Sequence, residues 1–461
     1  MESRQACSSR GPRGNWRRPT TLALSAAATV LLLVACSDAG TQPSEQDQQM
    51  PDGRDAPGGH PGADSALADR EGVGVSDEAC PGAIDDDLGC VRLGSLVDRG
   101  DERSSSHSDE LLAGQREFWE RVNLDGGVGG HEVHLADHVR DVTDDAEGQV
   151  VAAEELLDEV LAFATLPGDA TSDELVDTLR STGVVGAMPG WWSGWHADEH
   201  RDTLLLPAEH SHCLGAAAGL DWYAATIEMP ASVLAIAPPG RRAEDIEAGA
   251  SVWAQATGAE WLGLTETATV VEGDLQDAAA QAIRERAPDI VILGTAPPET
   301  GQLVGRSAAH GFEGTFLGVV GTWDPDLLDD AQQAQALQAL YRHVGPWDDL
   351  PSTGAGAAID EARGEQVLSA GYLDGWLSSY PLLAALQAAA DRDGLTRVGV
   401  RAALADLEVD RRGAVPSEIV GAPAVISAPD RESAWGLSSA GLGVHGLAAE
   451  RFDHPADCAG P

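Results

Sequence analysis

The chain has 461 residues, 43% of them hydrophobic, and a formal net charge of −46 with no lysine. That apolar content suffices for one large core or two. So acidic a surface repels nucleic acid and anionic headgroups, which makes both poor partners.

Arg4, Arg10, Arg13, Arg17 and Arg18 form a basic N-terminal region, followed by an apolar run from Leu22 to Val34. The run is too short to span a bilayer comfortably, so residues 1–35 read as an export signal whose removal moves the net charge to about −50. It ends in Leu33-Val34-Ala35-Cys36, which resembles the bacterial lipobox. That resemblance implies cleavage before Cys36, acylation of its thiol, and attachment to the extracytoplasmic face of the cell membrane. The alternative is an ordinary signal peptide with an incidental cysteine. Residues 36–84 are rich in Asp, Gln, Gly and Pro and predict a flexible acidic tether, with a reach of roughly 35 Å for ~40 residues. Besides Cys36, the exported chain keeps Cys80, Cys90, Cys213 and Cys458. Four cysteines in an oxidising compartment suggest two disulfides, with three connectivities open and Cys80–Cys90 plus Cys213–Cys458 favoured.

From Val91 onward, strand and helix patterns alternate. Val91 to Val97 reads as a strand, and Ser108 to Val122 as a helix with Ser108 as a plausible N-cap. A glycine turn then leads to a strand from His131 to Leu135. A helix over 147–160, a buried strand over 161–166, a helix over 172–181 and a strand over 184–188 follow. A second series has strands at 232–236, 290–293 and 315–320 and helices at 243–257, 275–287 and 300–311. This alternation predicts an α/β fold with parallel sheets covered on both faces, long enough for two domains.

Four collinear stretches then carry a family resemblance. Asn123-Leu124-Asp125-Gly126-Gly127-Val128-Gly129-Gly130-His131-Glu132-Val133 resembles a signature of type 1 periplasmic solute-binding proteins of the Leu/Ile/Val-binding group. Ala287-Pro288-Asp289-Ile290-Val291, Ala308-Ala309-His310-Gly311 and Gly371-Tyr372-Leu373-Asp374 resemble three later motifs of the same group. The resemblance implies a two-lobed clamp, each lobe a doubly wound, mainly parallel sheet, with a ligand cleft at the hinge. It places the first lobe at 85–220 plus 348–412 and the second at 221–347 plus 413–461. It also implies a small-molecule ligand, an amino acid or related amide or amine, delivered to the permease of an ABC importer, without catalysis or cofactor.

Open α/β sheets bind ligands beyond the carboxyl ends of their strands, and four such loops carry chemistry. Pro167 to Ser172 opens a helix, so Thr171 or Ser172 is read either as a contact for a ligand carboxylate or as that helix's N-cap. Pro189 to Trp195 holds Trp191, Trp192 and Trp195 around Ser193, an aromatic wall suited to flat or cationic groups. In the second lobe Thr295, and then Thr322, Trp323 and Asp324, follow buried strands. The resemblance suggests Asp324 for a ligand ammonium, while Asp324-Pro325-Asp326 also reads as a helix start. Pro238-Pro239-Gly240-Arg241 departs from the family's segment there, which puts a branched-chain amino acid in doubt.

Two other readings compete. His196 and His200 stand four apart, with His210, His212 and Cys213 behind them, a spacing that would suit zinc if helical. A clamp reporting to a membrane sensor instead of a permease is the other. Asp85-Asp86-Asp87 reads as a solvated run, and no nucleophile elbow or phosphate loop is present in the sequence.

Overall fold

The long strand Gly89–Asp98 is the frame on which the first sheet is assembled. The structure is a computed structural model and describes residues 72–100, 102–142, 145–190, 192–196, 204–208, 210–267, 274–345, 353–363, 369–392, 394–410, 412, 425–429 and 437–439. Cys36, Trp191, His200 and Cys458 lie outside the described residues, as do the signal and most of the tether.

In chain order the first elements are β1 (Val75–Ser76), β2 (Gly89–Asp98), α1 (Glu102–Leu124), β3 (His131–His134), β4 (Val139–Val142), α2 (Ala146–Glu154), β5 (Ala162–Thr165), α3 (Asp173–Thr182), β6 (Gly186–Met188) and β7 (Leu205–Pro207). β2 is long enough to serve four neighbours. Val91 pairs with Val75 of antiparallel β1 and Val133 of parallel β3, while Ser95 pairs with Val139 of β4 and Thr165 of β5, both parallel. β6 and β7 continue the sheet in parallel. Alternation along β5 shows why both faces need helices. Ala162 and Ala164 join one apolar cluster and Phe163 joins another, as the period of two requires.

The second sheet is built from α4 (His212–Thr226), β8 (Ser232–Ala237), α5 (Arg241–Thr257), β9 (Glu260–Glu266), α6 (Asp274–Arg286), β10 (Ile290–Leu293), α7 (Pro297–Ala309), β11 (Thr315–Gly318), α8 (Ala331–Leu340) and β12 (Tyr341–Gly345). Its order is β9-β8-β10-β11-β12, all parallel, with β13 (Val425–Pro429) and β14 (Leu437–Ser439) added antiparallel beyond β12. Val233, Ala235 and Ala237 pack towards α4 and α5, whereas Leu234 and Ile236 pack with residues of α6, α7 and α8. Between these stretches the chain returns to the first sheet as α9 (Gly354–Arg363), α10 (Ala370–Leu377), α11 (Ser379–Arg392) and α12 (Arg397–Ala403). Tyr372, Trp376 and Leu386 of that return share a cluster with Phe118 and Trp119 of α1 and with Val91 and Leu93 of β2.

Several boundaries differ from the expectations. α1 begins at Glu102, so Ser108 is no cap. It lies inside the helix, where its Oγ donates to the Asp98 carbonyl at 2.5 Å. α7 begins at Pro297, because proline in a first turn forfeits no helical hydrogen bond. Residues 72–84, expected to close the tether, instead contain β1 and one end of the Cys80–Cys90 disulfide. Buried Glu132 fixes that loop by accepting from the backbone of Ile84 (2.9 Å) and Asp85 (2.7 Å). Cys213 is also disulfide-bonded. α4 straddles the expected lobe boundary at 220, yet it buries Ala216, Leu220 and Trp222 with the second sheet.

The glycine turn after α1 is held by Asn123. Its amide accepts from Val133 N–H (2.8 Å) and donates to the Val133 carbonyl (3.0 Å), tying the helix end to β3. Gly126, Gly127, Gly129 and Gly130 all have positive φ, a conformation side chains resist.

Candidate functional site

The carboxyl ends of the first sheet's strands present two loops towards the second lobe. The loop after β5 runs through a short 3-10 turn, Gly168–Ala170, into α3. Ser172 caps that helix, its Oγ accepting from Leu175 N–H at 3.2 Å, while its own N–H donates to the Gln149 side chain at 2.8 Å. The Gln149 amide also donates to the Ala170 carbonyl at 2.8 Å, so a single side chain sets the loop's shape. Thr171 is fully buried, and its hydroxyl has no hydrogen-bond partner among the described residues. The loop after β6 turns through Trp192 into a 3-10 turn, Ser193–His196. There Trp192 and buried Trp195 stand edge to face, with ring centroids 5.3 Å apart.

The first turn of α5, from the other lobe, is seated on both loops. Arg241 donates to the Thr171 carbonyl and to Asp173 Oδ1, the latter at 2.8 Å. Its guanidinium carbon lies 4.6 Å from the Trp192 ring centre and 4.4 Å from that of Trp195. One turn later, buried Asp245 accepts from Ser193 N–H (3.0 Å) and Ser193 Oγ (2.5 Å). Arg242 points among the loops that follow β10 and β11, so that a Cβ at Gly321 would stand 3.3 Å from its Nη1. Across from it lies His107 of α1, whose pKa is pushed down by desolvation and by the charge of Arg242. His107 Nε2 lies 3.8 Å from Asp374 Oδ2, and desolvation pushes the Asp374 carboxyl up to about 7.

The second lobe's expected residues turn mainly inward. The Thr295 hydroxyl is buried 2.7 Å from that of Thr300. Thr322 Oγ1 donates to the Val319 carbonyl at 2.5 Å and lies 2.8 Å from the Tyr341 hydroxyl, on whose ring Trp323 stacks. Asp324 caps a 3-10 turn by accepting from Asp326 N–H at 2.8 Å, and burial raises its pKa. Two cavities, of about 490 Å³ beside Arg92 and His138 and about 200 Å³ beside Ile84 and Trp119, are lined by residues of neither loop set.

Sequence reasoning missed Arg241, Asp245, Arg242, His107 and Asp374. A signal did exist: Arg241 and Arg242 open a helix, where the dipole opposes positive charge. Such a local cost asks for a partner elsewhere. Of the histidine constellation, His210 and His212 are buried, and His343 of β12 lies near enough to His210 to lower its pKa further. Burial holds His210 at about 3 and His343 at about 4, so both stay neutral. Among the described residues, no group of three or more His, Cys, Asp or Glu side chains is placed to hold a metal.

Two mainly parallel sheets covered by helices, with a chain that passes between them at β7–α4, β12–α9 and α12–β13, define a two-lobed clamp. A model described as periplasmic binding protein matches residues 91–431, and the chain belongs to that family, in its type 1 form. As a periplasmic binding protein it is a solute-binding protein. No helix among the described residues is long and apolar enough to cross a membrane. Similar solved structures include a fatty acid ABC transporter substrate-binding protein from Thermomonospora curvata, at 18% identity over 83% of this chain and 96% of that one, TM-score 0.69. A branched chain amino acid ABC transporter from Thermus thermophilus with bound valine has 15% identity over 78% and 97%, TM-score 0.63. A solute binding protein from R. palustris in complex with benzoate has 14% identity over 78% and 99%, TM-score 0.61. At these identities the likeness is one of fold. No curated protein matches the chain.

Proposed function

We propose that the chain is an extracytoplasmic solute-binding lipoprotein, held by acylated Cys36 at the outer face of the cell membrane. It captures a small molecule, an amino acid or a related amide or amine, between its lobes and delivers it to the permease of an ABC importer. The observation that carries this reading is the seating of α5's first turn on the two strand-end loops of the other lobe. Those loops sit where open α/β sheets bind ligands. A helix start on one side and aromatic rings on the other give them donors and π surfaces for a small polar solute. Closure over solute would then be a hinge motion, driven by contacts made only in the closed state.

A thermal-shift screen of the purified chain against amino acids, amides, short peptides and aromatic or quaternary amines tests the ligand class. A saturable rise in melting temperature with one class supports the reading, since a ligand binding only the folded state stabilises it by mass action. No rise with any of these, alongside a rise with an unrelated class, would sink it. Mass spectrometry of the membrane-extracted protein tests the anchor: an unmodified Cys36 there would refute acylation.

A further inference from the structure

Among the described residues, the four groups that bond to the Arg241 guanidinium or lie beside it belong to the opposite lobe. The Thr171 carbonyl accepts from the guanidinium's Nη1 and the Asp173 carboxylate from its Nη2. Trp192 and Trp195 lie beside it at 4.6 and 4.4 Å, their planes 84° apart. A carbonyl, a carboxylate and two π faces are all electron-rich, so this surface is built to receive a cation. The occupant in place is a flat cation that donates to both acceptors. A quaternary ammonium has no N–H for Asp173 or Thr171. The acceptors and rings therefore match a cation with N–H donors, and the group they hold is a guanidinium, whose class includes amidinium.

We infer that Trp192, Trp195, Asp173 and the Thr171 carbonyl form a flat-cation site on the first lobe. Arg241 of the second lobe is its resident occupant, and a guanidinium- or amidinium-bearing solute is the class that replaces it. The inference deepens the solute-binding reading and rests on it in one respect, that the lobes separate to vacate the site. Arg241 stands in for ligand in the closed clamp. The positive end of α5 disfavours an arginine at this position, and the cage is what offsets that cost.

The test compares the full chain with its Arg241→Ala variant by tryptophan fluorescence during titration with methylguanidinium chloride. Sodium chloride and tetramethylammonium chloride at matched ionic strength are the controls. The expected result is a saturable response in Arg241→Ala at millimolar methylguanidinium, at least ten-fold weaker in the wild type, and none with tetramethylammonium in either. Small-angle scattering should show a larger radius of gyration for Arg241→Ala, returning towards the wild-type value as methylguanidinium saturates. Should Arg241→Ala not fold by circular dichroism, Arg241→Gln carries the same titration. No saturable response in the variant, or an equal response in the wild type, overturns the inference. If a solute without guanidinium or amidinium raises the wild-type melting temperature while the variant takes up no methylguanidinium, the flat-cation site falls and the solute-binding reading stands.

Discussion

The carboxylate of Asp245 on α5 accepts both the backbone N–H and the hydroxyl of Ser193, a residue of the loop that follows β6 on the other lobe. Both side chains are buried, so the pair acts in a low dielectric and joins the lobes at one point. Ser193→Ala removes the 2.5 Å hydroxyl bond and leaves the backbone one. It should cost about 1–3 kcal/mol in urea unfolding. Asp245→Ala should cost more, because it also strands the Ser193 N–H. An unchanged midpoint in both variants would show that the contact contributes nothing to the folded state.

The family's asparagine acts as a clasp. Asn123 makes two hydrogen bonds to the backbone of a single residue, Val133, so Asn123→Ala should lower stability by about 1–3 kcal/mol. Asn123→Asp keeps the acceptor and loses the donor, and should fall between the two. Equilibrium urea melts of the three proteins give the ranking.

Acid should weaken the fold through buried imidazoles. His210 and His343 are pushed down to about 3 and about 4 by burial, below the 6.5 of the unfolded chain. The unfolded state therefore binds protons first as pH falls. Stability is full above about pH 6.5 and declines from there until the folded values are reached. Each histidine should account for about 2 kcal/mol of loss between pH 7 and pH 5. His343→Gln should reduce the difference between melts at those two pH values by that amount. An identical pH dependence in variant and wild type would contradict the assignment.

The Cys80–Cys90 disulfide closes a loop with a sequence separation of 10. Replacing both residues by serine should cost about 2–3 kcal/mol through the freed unfolded chain. Thermal melts of the double variant measure this, and the Glu132 bonds to Ile84 and Asp85 should keep the loop in place once folded.

Much of the fold was legible because its signals are local. Asp289 shows why one motif works. Its carboxylate accepts from Ala231 N–H (2.6 Å) and Ser232 N–H (3.1 Å), so the start of β10 is pinned to the start of β8. β10 itself is a continuous apolar run, and its bounds at Ile290–Leu293 agree with the expectation. β9 was missed, since it lies at the sheet's edge with half-buried residues and Gly263 inside it. The site was harder. Ser172 was legible as a cap because its partner Leu175 is three residues away. Arg241 reaches a carbonyl 70 residues earlier, and Asp245 a serine 52 residues earlier. No periodicity links such distant positions. Trp192 and Ser193 were singled out from their own composition, but the groups that engage them were not.

Tyr372 of α10 donates to Glu117 of α1 at 2.7 Å across 255 residues of chain. A ribosome adding ~5–20 residues per second needs roughly 13–50 s to make that interval. Throughout it Phe118 and Trp119 have no α10 or α11 to lie against, and a chain cut short anywhere in the second sheet would keep that aromatic face bare. Completion of the first sheet is thus timed by the late arrival of its own C-terminal helices.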